Sequence, residues 1–222
     1  MTYFKSTCTA FALSVALAAP AKATLVDITN CGATAVACTI TTTPPNPIAK
    51  DPNDGVLLAW DEVQNFTLTA DLRVDRVFDT SASFITTAPG GDYYIKAGTV
   101  VSSHYIQWDP APGGQAVTAK ITLDSQVFAF MTSDQNMFDS DAQLGLPGLS
   151  YNNFTARGLE SNDTTVFDGN SVDIRWQATS PGDWTRLITA YSPAAEVPVP
   201  ASLPLLAGAL GLAGFVGRRR RK

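Results

Sequence analysis

The sequence is poor in histidine, cysteine and charge. Of its 222 residues one is histidine and three are cysteine, and charged residues make up 16% of the chain. So few imidazoles and thiols leave no zinc ligand set, and neither an H-E-x-x-H nor a G-x-S-x-G motif occurs. We therefore expect no catalytic residues and no firm metal site. A net charge of −5 also argues against a nucleic-acid-binding protein.

The charges divide the chain into three parts. Residues 24–196 contain eight Lys or Arg against 20 Asp or Glu, a net charge of −12, whereas both ends are free of acidic residues. The last five residues are a basic cluster: Arg218, Arg219, Arg220, Arg221 and Lys222. This pattern predicts a leader at 1–23, a domain at 24–196 and a C-terminal signal at 197–222.

The first segment has the order of a secretory signal peptide. A polar start with Lys5 precedes an uncharged run from Ala10 to Ala19, and small residues follow at Ala21 and Ala23. We expect cleavage between Ala23 and Thr24, with the Sec translocon and signal peptidase as partners. The alternative is a buried apolar helix at the start of the fold.

The C-terminal segment combines a proline-containing motif, a short apolar run and the basic cluster. The motif is Val197-Pro198-Val199-Pro200-Ala201, and residues 203–217 form a predicted transmembrane helix ahead of the basic tail at 218–222. A helix from Ala201 to Gly217 is roughly 25 Å long, slightly short of a hydrocarbon core of about 30 Å. The basic cluster should stop transfer and stay cytoplasmic while the rest is exported.

These three parts in this order resemble the PEP-CTERM class of sorting signals, and most closely its VPLPA-CTERM variant. The chain departs from that variant at Val199, where Leu is usual. The resemblance implies an exosortase substrate of a Gram-negative bacterium, held transiently in the inner membrane and then sorted to the cell surface or extracellular matrix, often with exopolysaccharide. It also implies a β-sandwich ectodomain. The alternative is a simple membrane-anchored periplasmic domain.

The middle segment is predicted to be all-β. Hydrophobic and polar residues alternate in Asn65–Arg73, Ala116–Asp124 and Ser171–Ala178, and no convincing helical period occurs. We expect a two-sheet antiparallel sandwich, jelly-roll or Ig-like, with one face of each sheet in water. Less regular strand candidates are Leu25–Thr29, Val56–Val63, Thr99–Trp108, Val127–Thr132 and Trp184–Ala190. In the third of these His104 shares a side with Ile106 and Trp108, which indicates a half-buried sheet residue.

Three groups of residues are candidates for specific roles in the exported domain. Cys31 and Cys38 form an even pair after loss of the leader, which predicts a disulfide. The segment from Asp134 to Asp141 concentrates oxygen ligands for a structural calcium ion, Asp134, Asn136, Asp139 and Asp141, although it lacks the helix-loop-helix calcium pattern. Trp184, Tyr93 and Tyr94 lie near turns, where exposed rings can stack on sugars.

The sequence therefore predicts where the protein goes more firmly than what it does. We expect an exported surface or matrix protein without enzymatic activity. The alternatives are a carbohydrate-binding module acting on exopolysaccharide and a polysaccharide hydrolase, because 20 acidic residues offer many carboxylate pairs.

Overall fold

The computed structural model describes residues 25–110, 112–179 and 181–192. These residues form strands joined by turns and one α-helix. In chain order the elements are β1 (Leu25–Ala33), β2 (Ala37–Ile40), β3 (Val56–Asp61), β4 (Phe66–Thr67), β5 (Leu72–Val74), β6 (Arg76–Val77), β7 (Ile85–Thr87), β8 (Tyr93–Ile95), β9 (Val100–Asp109), β10 (Gln115–Leu123), β11 (Val127–Met131), α1 (Asp134–Leu144), β12 (Thr164–Asp168), β13 (Ser171–Ala178) and β14 (Asp183–Thr189).

The strands form three sheets. A four-stranded sheet has the order β1-β10-β13-β12, and a seven-stranded sheet has the order β2-β3-β9-β14-β11-β6 with β4 paired to β9. A small three-stranded sheet has the order β5-β8-β7. All pairings are antiparallel except β2 with β3. The prediction of a mainly antiparallel β fold is confirmed, and the arrangement is consistent with a β-sandwich.

The seven-stranded sheet is buried on both faces. Ile106 and Trp108 of β9 pack with residues of the four-stranded sheet in one core. Tyr105 of the same strand packs in a second core with α1 and the three-stranded sheet. The expectation that each sheet has one face in water is therefore wrong for this sheet, because a further layer covers its outer face.

Regular alternation predicts the two central strands of the four-stranded sheet well. In β10 and β13 the apolar positions are buried and the intervening polar positions are partly or fully exposed. The predicted strand Asn65–Arg73 is wrong, because it divides into β4 and β5, which belong to different sheets. Between them the chain turns at Leu68, whose backbone exchanges hydrogen bonds with Thr99 and Gly98.

Helix α1 was not expected, because its buried face is partly polar. Asn136, Met137, Ser140 and Leu144 are buried, at helical spacing but with only two apolar members. Ser133 caps the helix N-terminus, and its side chain accepts a hydrogen bond from the Asn136 amide. The Asp75 carboxylate accepts bonds from the amides of Thr132 and Ser133, at 2.6 and 3.0 Å, and so satisfies donors at this end of the helix.

The predicted disulfide is confirmed. Cys31 of β1 is bonded to Cys38 of β2, with a Cα–Cα distance of 5.9 Å. Since β1 and β2 belong to different sheets, the bond joins the four-stranded sheet to the seven-stranded sheet.

The two predicted address segments lie outside the described residues. This applies to the leader at 1–23 and to the C-terminal signal at 197–222 with its helix at 203–217. Within 25–110, 112–179 and 181–192, no helix has the length and apolar character needed to cross a membrane.

Replacing both Cys31 and Cys38 with Ser should lower the free energy of unfolding by about 2 kcal/mol, because the bond closes a short loop and restricts the unfolded chain only modestly. Denaturant titration of the oxidised protein and the variant measures the difference. An unchanged midpoint would contradict the stabilising role of the cross-link.

Candidate functional site

A hydrogen-bonded row of Asp61, His104 and Thr189 crosses three neighbouring strands of the seven-stranded sheet. The His104 Nδ1 lies 2.8 Å from Asp61 Oδ1, and its Nε2 lies 3.0 Å from Thr189 Oγ1. An imidazole between a carboxylate and a hydroxyl is the order of groups in acyl-transfer triads. The row is therefore the most catalysis-like geometry in the described part of the chain.

The burial of this row favours a structural role. His104 and Thr189 are both fully buried, so the expectation of a half-buried histidine is wrong in degree. A nucleophile has to reach its substrate, and the Thr189 side chain is fully buried. Asp61 also accepts a hydrogen bond from the Leu25 amide at 3.1 Å. The row therefore ties β1, β3, β9 and β14 together.

A second polar group, which we call the buried ion-pair cluster, consists of Glu62, Asp141, Arg157 and Arg186. The Arg186 guanidinium donates to both Glu62 oxygens, at 2.6 and 2.7 Å, and to Asp141 at 3.0 Å. Arg157 donates to both oxygens of Asp141, at 2.5 and 2.7 Å. Both arginines are at most 1% exposed. The cluster links β14, the end of β3, α1 and the loop after α1.

Two tyrosines complete this cluster. Tyr151 donates to Glu62 Oε1 at 2.5 Å, and Arg157 Nε donates to the Tyr105 hydroxyl at 2.8 Å. Both guanidinium groups lie 5.2–5.5 Å from the centroids of both rings, within cation–π range. Burial raises the pKa of Tyr105, and burial together with Glu62 raises the pKa of Tyr151. Both phenols therefore remain neutral, Tyr151 as a donor to Glu62 and Tyr105 as an acceptor from Arg157.

The charges of the buried ion-pair cluster balance one another. Burial alone would lower the pKa of Arg186, but the neighbouring Glu62 and Asp141 carboxylates outweigh it and raise that pKa. Two guanidinium groups thus face two carboxylates, and their net charge is zero. Such a set stabilises a unique arrangement of the layers and keeps no charge free for a ligand.

The calcium candidate lies on α1 and not on a loop. Gln135 donates to Asp139 at 2.8 Å, Asn136 donates to Asp75 at 2.8 Å, and Asp141 belongs to the buried ion-pair cluster. Asp134 lies in the first turn of the helix, where it accepts from its neighbours. The four candidate ligands therefore lie along a helix, and calcium binding by them stays a prediction. Among the residues that the structure describes, no three His, Cys, Asp or Glu side chains form a metal-binding group.

The three aromatic candidates for sugar stacking differ in burial and orientation. Trp184 is fully buried and packs edge-on against Phe154, at a centroid distance of 5.0 Å, so its expected role in sugar stacking is wrong. Tyr93 faces inward and packs against the second core. Tyr94 faces outward, with Arg73 and Thr86 as its cross-strand neighbours. Tyr94 is therefore the one member of this set on a sheet surface.

In the part of the chain that the structure describes, the three best-formed surface cavities are not lined by Asp61, His104 or Thr189. One of about 220 Å³ lies beside the N-terminus of α1, and one of about 110 Å³ lies between aromatic residues including Phe78, Phe84 and Phe128. The third, about 250 Å³, is an open polar depression that includes Thr164, Arg175 and Gln177. All three are small for a cleft that encloses a ligand.

The buried ion-pair cluster was not predicted from the sequence, although the sequence contains one signal for it. In the predicted strand Trp184–Ala190, Arg186 shares a side with Trp184 and Ile188. A charged residue on an otherwise apolar strand face requires a buried partner of opposite charge. Its partners, Glu62 and Asp141, lie far away in sequence, so the signal could predict a pair without naming it.

No family model matches the chain, and neither the curated proteins nor the solved structures include a significant match.

Replacing Arg186 with Met should lower the free energy of unfolding by about 3–5 kcal/mol, because it leaves Glu62 as a buried, uncompensated charge. The matched control is Arg73→Met, which breaks an ion pair with Asp92 whose side chains are 48% and 42% exposed, and should cause a much smaller loss because solvent screens the pair. Denaturant titration compares the two variants. Equal losses would contradict a dominant role for the buried pair.

Proposed function

We propose that this chain is an exported bacterial surface or extracellular-matrix protein, sorted by an exosortase through its VPLPA-CTERM-like tail. The Sec translocon and signal peptidase act first, at Ala23 and Thr24. The helix at 203–217 then holds the chain in the inner membrane of a Gram-negative cell until the tail is processed near Val197–Ala201. The exported part, a β-sandwich of jelly-roll or Ig-like type, acts through its surface and not as an enzyme, and it requires no cofactor.

One observation carries this proposal: every described strand lies between the two expected cuts. Strand β1 begins at Leu25, one residue after the expected new N-terminus at Thr24, and β14 ends at Thr189, before the motif at 197–201. Both cuts would leave the folded domain complete. The Cys31–Cys38 disulfide further supports export, because such bonds persist in oxidising compartments.

The proposed surface role rests on how the buried polar groups are used. The residues of the buried ion-pair cluster bond to one another inside the fold, and so do Asp61, His104 and Thr189 within their row. Binding by an exposed face then becomes the simplest activity for the domain. The net charge of −12 between 24 and 196 favours solubility at a crowded cell surface and opposes contact with anionic polymers unless cations bridge them.

Intact-mass measurement on the protein recovered from its host tests the proposal. Material from the cell surface or medium should begin at Thr24 and end near the motif at 197–201. Replacing Pro198 and Pro200 with Ala should shift the protein to the membrane fraction with Lys222 retained. Recovery of wild-type protein only in membranes, with an intact C-terminus at Lys222, would instead establish a plain anchor.

Carbohydrate binding is a second candidate function, supported by the position of Tyr94. Its ring lies on the outer face of the three-stranded sheet between Arg73 and Thr86, so an aromatic surface and hydrogen-bonding groups occur side by side. Exopolysaccharide is the ligand class that the sorting resemblance implies.

Tyr94→Ala should abolish retardation of the protein in polysaccharide affinity gels while leaving the melting temperature nearly unchanged, because the ring is outside both cores. Tyr191→Ala is the matched control, since Tyr191 is 49% exposed elsewhere on the surface. Equal retardation of both variants and the wild-type protein would exclude Tyr94 as the binding residue.

A further inference from the structure

Two buried carboxyl groups lie on neighbouring strands, one at the end of β9 and the other at the start of β14. Asp109 is the last residue of β9, and Asp183, the first residue of β14, is paired with Trp108. The side chains of both residues are almost completely removed from solvent, since Asp109 is 0% and Asp183 is 1% exposed. Gly182 is packed so tightly here that an added Cβ would lie 2.4 Å from the Trp108 carbonyl oxygen. The two strand ends are therefore in close contact.

Each carboxyl group has one buried oxygen without a hydrogen-bond partner in the described part of the chain. These are Asp109 Oδ1 and Asp183 Oδ2. The other oxygen of Asp109 accepts from the Asn53 amide at 2.9 Å. A buried oxygen of an ionised carboxylate without a partner is costly, whereas a protonated carboxyl group can remain in such a place at much lower cost.

The charged groups that face these two residues are acidic. Asp183 is influenced by Asp163 and Glu160, which precede β12, and by Asp109. Asp109 is influenced by Asp51 and Asp54, which precede β3. Among these neighbours one cation, Arg76, acts on Asp163 and opposes the rise of its pKa. The arrangement is the opposite of the buried ion-pair cluster, where every carboxylate faces a guanidinium group.

The electrostatics follow from this geometry. Burial, reinforced by the neighbouring acids, raises the pKa of Asp183 to about 8. Burial also raises the pKa of Asp109 to about 6, and Asp51 and Asp54 add to the effect against the Asn53 amide. In the unfolded chain both groups return to an ordinary Asp pKa of about 4.

We propose that Asp109 and Asp183 form a proton-dependent latch, which holds the ends of β9 and β14 together when protonated and loosens them when ionised. Because this contact depends on bound protons, the stability of the exported domain responds to the pH of its surroundings. This property is independent of how the chain is sorted.

The sign of the effect follows from proton binding. Above about pH 4 the unfolded chain has released both protons, while the folded protein retains them up to the raised pKa values. The stabilisation is therefore complete below about pH 4 and is lost as the pH rises through about 6 and then about 8. The folded protein should be less stable in mild alkali than in mild acid.

Thermal melting of the purified full-length protein at about pH 5 and about pH 9 tests the latch. The melting temperature of the wild-type protein should fall by about 4 °C or more between these two conditions. Asp183→Asn, which imitates the protonated side chain, should remove most of that fall. Asp173→Asn is the matched control, because it also removes one negative charge from a strand but at a side chain that is 51% exposed. It should leave the fall unchanged.

Two further measurements keep the test decisive. Infrared spectroscopy at neutral pH should show a carboxylic-acid C=O band that Asp183→Asn removes and Asp173→Asn retains. If Asp183→Asn does not fold, Asp109→Asn should reduce the fall in melting temperature between about pH 5 and about pH 7.

Three results would overturn the proposal. The first is a wild-type melting temperature that does not fall with rising pH. The second is an equal fall in the wild-type protein and Asp183→Asn. The third is full recovery of the alkaline melting temperature on addition of Ca²⁺ in the wild-type protein but not in Asp183→Asn, which would identify a cation site in place of a proton latch.

Discussion

The burial of Arg186 within the seven-stranded sheet is the constraint on which the arrangement of layers depends. A guanidinium group removed from water requires matched acceptors, since an unpaired buried charge costs several kcal/mol. Glu62 supplies two of them from the end of β3, and Asp141 supplies another from α1. Because Asp141 also binds Arg157, the helix and the loop after it are held against the sheet in one position. The second core then packs around this polar centre.

The buried ionisable groups of this fold have two different kinds of neighbours. In the buried ion-pair cluster each carboxylate is paired with a guanidinium group. At Asp109 and Asp183 the neighbouring charges are also acidic, so the local stability depends on bound protons. The seven-stranded sheet thus contains one buried contact between opposite charges and one between groups of like charge.

Strand prediction from the sequence was correct where one face of a strand is apolar and the other polar. Strands β10 and β13 alternate in this way, and their buried positions agree with prediction. It failed for the degree of burial in β9 and β14, since strands covered on both faces have no strict alternation. It also missed α1, whose buried face includes Asn136 and Ser140. The hydrogen bonds of these polar residues depend on neighbours brought close only by folding.

The sequence by itself determined the β-rich class, the pairing of Cys31 with Cys38 and the acidic character of the domain. The class follows from local pattern and the charge from composition, and two cysteines can form only one disulfide within the domain. It also carries the predicted export and sorting signals, which are read as linear segments. Only the tertiary structure decided that Trp184 is core, that Arg186 binds Glu62 and that Asp183 lies among acids. Burial and charge pairing join residues distant in the chain, and no local pattern encodes which of them meet.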